Sequence, residues 1–497
     1  MVRGIRPFGK AVSLTYWIRR HEPPRLSPMR TPHASKASSN TLRAGMIGMG
    51  MIFDDTYRPF FERVHAEGLY DRRFGLVEAP LVAVASRTGV RADKYRQAAI
   101  GRITPFESFT GEDAVARLLK AGVDFACVAT PDDRHFAAAR QILAAGVHLL
   151  VEKPSVLSLA QLDELTTLAR RHQVLAKIVY HKLLDPDHKK LRTFVADGVL
   201  RHVNNGYCSL LEPRSISGSQ FAEWITGRNP GTYVAVHYIK LIDFTFGGWL
   251  KTITATGQRG IVGAPDGPTW DSCQMRLIYE YASNSFPPFA RGGQVGSRRG
   301  RSAVKKTRDA GGPSDVPEQG ATHRQAAFDI HTSWVTPDNF PGYVEQEVQF
   351  RFDNGVWNGH SRKRGVECTI EGQTPGAIKI TQNNHYSAKF LEPWGERSQR
   401  GYGVEVLERF VHEAAYVEFG GPAEKRRERL AEMEQLVYND LAADRQTVAA
   451  VQALEAILER QHQGRPDCVV RANDPRGGLV LYEPGAADPE ILYEPPV

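Results

Sequence analysis

Lys153 ends the run His148-Leu149-Leu150-Val151-Glu152-Lys153-Pro154, so a buried strand carries an ammonium group to its carboxyl end. Desolvating that charge is costly unless a partner or a reaction needs it. Placed there, an ammonium can hydrogen-bond an oxygen on which negative charge develops, with Glu152 and Pro154 setting its position. A second chemical set lies in residues 231–243. Read as a helix, that stretch puts Tyr233, His237 and Lys240 on one face at i, i+4 and i+7. His237 is the natural acid–base group of the set. Tyr233 can bond a hydroxyl but holds no negative charge near neutral pH. A neighbouring Lys240 is expected to push the His237 pKa down, and Asp243 lies off the face. The plainer account of His237 is a buried helix histidine satisfied by backbone. A third set is His181-Lys182 in residues 181–188, where both side chains can bond hydroxyls or can simply be charges of a solvated loop.

The elements that must position these groups are parallel strands and crossovers. Residues 126–154 form a strand ending in Ala129-Thr130-Pro131, a helix that carries His135, and the strand of Lys153. Such a unit is a right-handed crossover, and ligands bind at the carboxyl ends of its strands. Upstream, a short apolar strand runs into Gly48-Met49-Gly50. Gly48 allows the tight turn, and Gly50 lets the backbone approach a pyrophosphate. The amides of Met51 and Ile52 then lie at a helix N-terminus, where an anion is stabilised. Phe53 stands where a third glycine is usual, and Asp54 and Asp55 suit the helix dipole. A further strand, residues 81–85, ends in Ser86-Arg87-Thr88. An acid there would bond a ribose 2′-hydroxyl, whereas an arginine suits a 2′-phosphate. The expected cofactor is therefore NAD(P), with a preference for NADP.

Gly48-x-Gly50-x-x-Phe53, Ala129-Thr130-Pro131 with His135, Ala145-Gly146-Val147-His148 and Glu152-Lys153-Pro154 together resemble the Gfo/Idh/MocA family, the glucose–fructose oxidoreductase and inositol dehydrogenase relatives. The resemblance spans roughly residues 42–460 and is clearest in the first half. It implies an α/β fold: an N-terminal Rossmann dinucleotide-binding domain and a C-terminal α/β domain on a large, mostly antiparallel sheet. It also implies hydride transfer between a nicotinamide and a secondary alcohol or carbonyl of a sugar, polyol or glycoside. Lys153, His237 and Tyr233 are then the expected catalytic residues. Gly48, Gly50, Met51, Ile52, Ser86, Arg87, Thr130, Pro131, His135, Glu152, Lys153 and Pro154 are the expected cofactor contacts. Lys153, His181, Lys182, Tyr233 and His237 are the expected substrate contacts. The family helix usually carries Asp, His and Asp at the offsets where this chain has Tyr233, His237 and Lys240. The carboxylates that would orient and stabilise an imidazolium are missing. Two other activities stay open on that account. One is a glycosidase that cycles a bound nicotinamide, or a relative that stops at the 3-keto glycoside. The other is a non-catalytic cofactor-sensing regulator.

Composition agrees with a two-core enzyme. The chain has 497 residues and a 41% hydrophobic fraction, enough to bury two cores. No stretch has the unbroken apolar length of a membrane helix. Five scattered cysteines form no CxxC pair, so neither a metal site nor a disulfide framework is expected, and a reducing, cytoplasmic compartment follows. The net charge of +7 is local: residues 1–40 hold eight Lys or Arg and one acid, and residues 291–309 hold seven and one. A nucleic-acid-binding body would carry a basic face of its own. The expected organisation is a disordered basic tail (1–41), the Rossmann domain (42–180), the substrate and oligomerisation domain (181–463) with a flexible basic insertion (287–325), and a Pro- and Gly-rich C-terminal tail (464–497). The insertion could also serve assembly. A homodimer or homotetramer, with no nucleic-acid or membrane partner, completes the expectation.

Overall fold

Strands that are apolar throughout and strands that alternate separate into two sheets. The computed structural model describes residues 40–215, 217, 225–281, 324–338, 344–360, 384–472 and 478–495, and the backbone of 370–371 and 378–379. The basic N-terminal stretch to residue 39 and the basic insertion to residue 323 lie outside the described residues.

Six strands, β2 (Ala44–Ile47), β5 (Leu81–Ala85), β6 (Glu107–Phe109), β7 (Phe125–Val128), β8 (His148–Glu152) and β9 (Ala176–Val179), form a parallel sheet of order β6-β5-β2-β7-β8-β9. β2, β7, β8 and β9 are buried along their whole length, as parallel strands covered on both faces must be. Helices α3 (Ala114–Lys120), α4 (His135–Ala144) and α5 (Leu159–His172) cover one face, and α1 (Arg58–Glu67) and α2 (Val90–Ala98) the other. α5 starts at the expected cap, Ser158, whose hydroxyl accepts from the Gln161 amide. Strand order reverses between β2 and β7, and that switch point opens the crevice at their carboxyl ends.

The second sheet has nine strands: β10 (Val203–Pro213), β11 (Trp249–Gln258), β12 (Ser272–Tyr281), β13 (Arg324–Thr336), β14 (Glu345–Phe352), β15 (Gly355–His360), β20 (Val469–Ala472), β21 (Leu479–Tyr482) and β22 (Glu490–Tyr493), in the order β15-β14-β10-β13-β12-β11-β20-β21-β22. All neighbours are antiparallel except β10 and β13. β12 and β13 alternate buried with exposed residues, so one face is core. α6 (Pro186–Ala196), α7 (Val236–Phe246) and α10 (Arg445–His462) pack on that face, with Phe246 stacked on Phe328 at 5.7 Å. Three short strands, β1 (Asn40–Thr41), β3 (Leu69–Asp71) and β4 (Gly75–Glu78), make a small separate sheet. β16 (Ile370–Glu371) with β17 (Ile378–Lys379), and β18 (Ala388–Leu391) with β19 (Arg397–Arg400), make two antiparallel pairs.

The structure departs from the expected organisation in three places. Asn40–Thr41 pairs with β4 and so belongs to the fold, not to the tail. The C-terminal stretch adds three strands to the large sheet, because Leu479 and Leu481 find buried positions that a Pro- and Gly-rich composition conceals. The second Leu-Tyr-Glu-Pro copy is anchored too: Arg445 donates to the Tyr493 hydroxyl, which itself donates to Asp163. Finally, α8 (Tyr402–Phe419) and α9 (Arg426–Glu434) cover the parallel sheet, although in sequence they lie between strands of the second sheet. The Phe410 ring meets Phe125 at 5.7 Å. Among the described residues no helix is long and apolar enough to cross a membrane.

Candidate active site

The glycine turn lies against the end of β7. Gly48 has φ +88°, and a Cβ there would sit 2.8 Å from the Ala129 carbonyl carbon and closer to its oxygen. Only glycine fits that turn. At Gly50 a Cβ would meet nothing within 4 Å, which leaves its backbone open to a ligand. The chain turns helical at Met51, so the Met51 and Ile52 amides stand at a helix start as expected. Phe53 is buried and meets Tyr95 edge-on at 5.0 Å. It anchors the helix where a third glycine would let it approach the sheet. Ser86 spends its hydroxyl on the Gly89 amide at 3.2 Å, while Arg87 is exposed. Arg91 bridges the turn by pairing with Asp54 and reaching the Gly50 carbonyl at 3.4 Å.

His135 is buried with both ring nitrogens on backbone carbonyls: Nδ1 is 2.7 Å from Pro154 O, and Nε2 is 2.8 Å from Thr130 O. It binds the two strand-end turns to each other, and so shapes the crevice through Thr130 and Pro154. The Thr130 hydroxyl oxygen is buried without a partner among the described residues. An orphan hydroxyl at the strand end, an open Gly50 and helix-start amides fit a dinucleotide, and these residues would hold one.

Lys153 is half-buried. Its ammonium donates to the Tyr233 carbonyl at 2.8 Å and lies 4.0 Å from the centre of the Tyr233 ring. Burial lowers its pKa, opposed by Glu152, Glu212 and Asp132. Glu152 points the other way, as the alternation along a strand requires, and accepts from the Tyr57 hydroxyl at 3.0 Å. Burial pushes its pKa from 4.5 up to about 7. Between those values the folded protein holds a proton that the unfolded chain has lost. Stability therefore falls as pH rises through that window, and the full cost is present above it. Glu152→Gln keeps an acceptor for Tyr57. It is expected to be more stable than wild type by roughly 1–3 kcal/mol at about pH 8, and no more stable at about pH 4. Calorimetric melting at the two pH values checks this; a variant that melts below wild type at the higher pH contradicts it.

Gly231–Ala235 forms a widened turn that runs into α7. It turns Tyr233 toward Lys153 and toward Trp334, whose ring is 6.1 Å away. His237 is buried, its Nδ1 has no partner among the described residues, and its ring meets that of His181 at 4.4 Å. Burial, with His181, Lys153 and Lys182, holds its pKa well below the usual histidine value. The expected direction is right, but its expected source is not. Lys240 points away from His237, to the Ala443 carbonyl and to Asp243 at 3.5 Å. A buried ammonium takes the strongest acceptors in reach, and those belong to the turn before α10 and to its own helix. Lys182 is likewise buried, donating to Gln346 of β14. His148 is structural: its Nδ1 accepts from the Leu175 amide and its Nε2 donates to Glu418 at 2.8 Å.

The fold thus brings Lys153, Tyr233, His181 and His237 into one cluster, with Lys182 close enough to act on both histidines. It adds groups that the sequence reading did not single out. Tyr386 and Tyr402 flank His181, at 5.0 and 6.0 Å between ring centres. Glu212, at the end of β10, accepts from the Trp334 indole at 2.9 Å. Glu212-Pro213 closes an apolar strand much as Glu152-Lys153-Pro154 does, a signal that was available; nothing local marks Tyr386. Among the described residues no cluster of side chains has the make-up of a metal site.

Residues 42–180 match the family described as "Oxidoreductase family, NAD-binding Rossmann fold", GFO_IDH_MocA. The chain is 26% identical over 165 residues to the uncharacterized oxidoreductase YdgJ of Escherichia coli (strain K12), covering 33% of this chain and 42% of that protein. It is 28% identical over 173 residues to D-glucoside 3-dehydrogenase of the same organism, covering 34% and 43%. The match therefore spans less than half the length of those two relatives. The fold is shared with scyllo-inositol dehydrogenase from Lactobacillus casei, at TM-score 0.53 and 13% identity over 87% of this chain and 99% of that one.

Proposed function

We propose, from the membership of residues 42–180 in the Gfo/Idh/MocA oxidoreductase family, that this chain is an NAD(P)-dependent dehydrogenase acting on a secondary alcohol of a sugar, polyol or glycoside. The observation that carries the reading is Lys153, at the end of a strand of the parallel sheet, held by Tyr233 of the turn that leads into the His237 helix, with His237 near enough to feel the lysine's charge. A nicotinamide, when bound, supplies the two-electron acceptor. Lys153 donates a hydrogen bond to the substrate oxygen as it gains charge. His237, neutral and with Nδ1 open, takes the hydroxyl proton. Tyr233 holds the lysine from below through its ring and carbonyl. The D-glucoside 3-dehydrogenase relative makes a sugar hydroxyl the natural substrate class. Purified full-length protein given NADP or NAD and a panel of sugars, inositols and glycosides should build up reduced nicotinamide with at least one of them. Cofactor binding without turnover across the panel would instead favour a sensing role.

Exposed Arg87, at the end of β5, supports NADP over NAD. Arg87→Ala is expected to raise the KM for NADP about tenfold and to leave that for NAD nearly unchanged, the loss of one charge-assisted hydrogen bond to a 2′-phosphate. Equal effects on both cofactors would remove the preference. The polar outer face of the large sheet, with Thr254, Gln274, Arg276 and Asp329, is the surface through which a homodimer or homotetramer would form in the cytoplasm. Light scattering of the purified chain tests that; a monomer rejects it.

A further inference from the structure

The face of the helix that carries His237 has no acid to complement a catalytic cation, yet three carboxylates reach the field of Lys153: Glu152 first, then Glu212 and Asp132. Two of them are committed elsewhere. Asp132 is held by the Arg228 guanidinium at 3.0 Å, and Glu152 faces Tyr57 on the α1 side of the sheet. Glu212, like Glu152, has a neutral partner, the Trp334 indole at 2.9 Å, and it is buried, but it comes from the large sheet that also sets Trp334 beside Tyr233.

Its placement is built rather than incidental. β10 and β13 are the one parallel pair of the large sheet among the described residues. Their register slips between Leu211 opposite Ser333 and Pro213 opposite Thr336, so β13 carries one residue more than β10 across from Glu212. A bulge of this kind re-aims side chains. Here it sets Trp334 to hold Glu212 while the same ring lies 6.1 Å from Tyr233, the residue that carries Lys153. Lys153, Tyr233, Trp334 and Glu212 form a continuous wall.

We propose that Glu212 is a charge partner of Lys153 beside Glu152: a carboxylate missing from the catalytic face of the His237 helix arrives from the neighbouring sheet and helps keep the lysine an ammonium, poised to donate to a substrate oxygen. Glu212 acts through Lys153 and is a positioning residue. Its own charge is conditional, because burial raises its carboxyl to about 7. The other titratable groups that feel Lys153 are Glu152 and Asp132 and His135, His181 and His237; burial drives the three histidines toward the neutral form and raises the Glu152 carboxyl to about 7 as well. Below neutral pH Glu212 takes up a proton and Lys153 loses that partner.

This inference rests on the reading of the crevice as the reaction site, and the test keeps the two apart. The full chain and its Glu212→Gln and Glu212→Asp variants are pulsed with acetic anhydride across a pH series, and acetylation of Lys153 is followed by mass spectrometry. Glutamine preserves the acceptor for Trp334. In Glu212→Gln the Lys153 profile is expected to move to lower pH by about one unit. kcat should fall at least roughly tenfold with KM changed less than about threefold, and aspartate should restore part of the loss. An unmoved Lys153 profile in a folded Glu212→Gln overturns the pairing, whatever the wild type turns over. A moved profile in a protein that oxidises none of the sugar panel upholds the pairing and brings down the dehydrogenase reading.

Discussion

Lys153→Met is expected to lower kcat by roughly a hundred- to a thousandfold, the cost of removing one donor aimed at a developing oxyanion. Methionine keeps the length of the stem and its contact with the Tyr233 ring, and removes only the ammonium. The fold should survive, because a half-buried charge that resists burial is replaced by an apolar group. Cofactor affinity should stay within a few-fold of wild type, since Gly48, Gly50 and the Met51 amide are untouched. Lys153→Arg is not expected to rescue: its planar fork cannot occupy the place 4.0 Å above the Tyr233 ring and also meet the Tyr233 carbonyl. Initial rates at the reduced-nicotinamide band, beside cofactor titration by fluorescence, separate the two effects. Turnover within a factor of about three of wild type would remove Lys153 from the chemistry.

Gly48→Ala has the largest structural effect expected of any single methyl group here. The new Cβ has to enter the Ala129 carbonyl, and the backbone at φ +88° disfavours any L side chain. Strain of this kind costs about 2–4 kcal/mol. The cost falls where β2 turns away from β7, so the cofactor crevice is distorted with it. We expect a lower melting temperature and at least a tenfold loss of cofactor affinity. Gly50→Ala is the control. Its methyl meets no protein atom within 4 Å, so stability should hold while affinity for the dinucleotide drops, if pyrophosphate packs on that backbone. A Gly48→Ala protein that melts and binds as wild type would show that the turn can relax; a Gly50→Ala protein with unchanged affinity would move the pyrophosphate elsewhere.

Much of the first sheet was legible because parallel strands covered on both faces need uninterrupted apolar residues, and β7 and β8 supply them with turn residues at each end. The Gly48 turn, the Ser158 cap and Lys153 at a strand end are all local rules, each decided by a few neighbours. The alternating patterns of β12 to β14 likewise announce a sheet with one covered face. The C-terminal strands were hidden by proline and glycine around them, and the docking of α8 on the first sheet depends on a pairing of Phe410 with Phe125 that no local pattern encodes.

By itself the sequence determined the Rossmann half, the lysine at its strand end and the histidine on a helix face without acids, since spacing and residue type are enough for each. The tertiary structure alone decided the partners. It sent Lys240 to the turn before α10 rather than to His237, set His181 against His237, and brought Trp334 with Glu212 beside the Tyr233 that holds Lys153. Charges and rings interact through space over a few ångströms, and which groups come that close is settled by how two sheets and their helices pack, across separations of dozens to hundreds of residues.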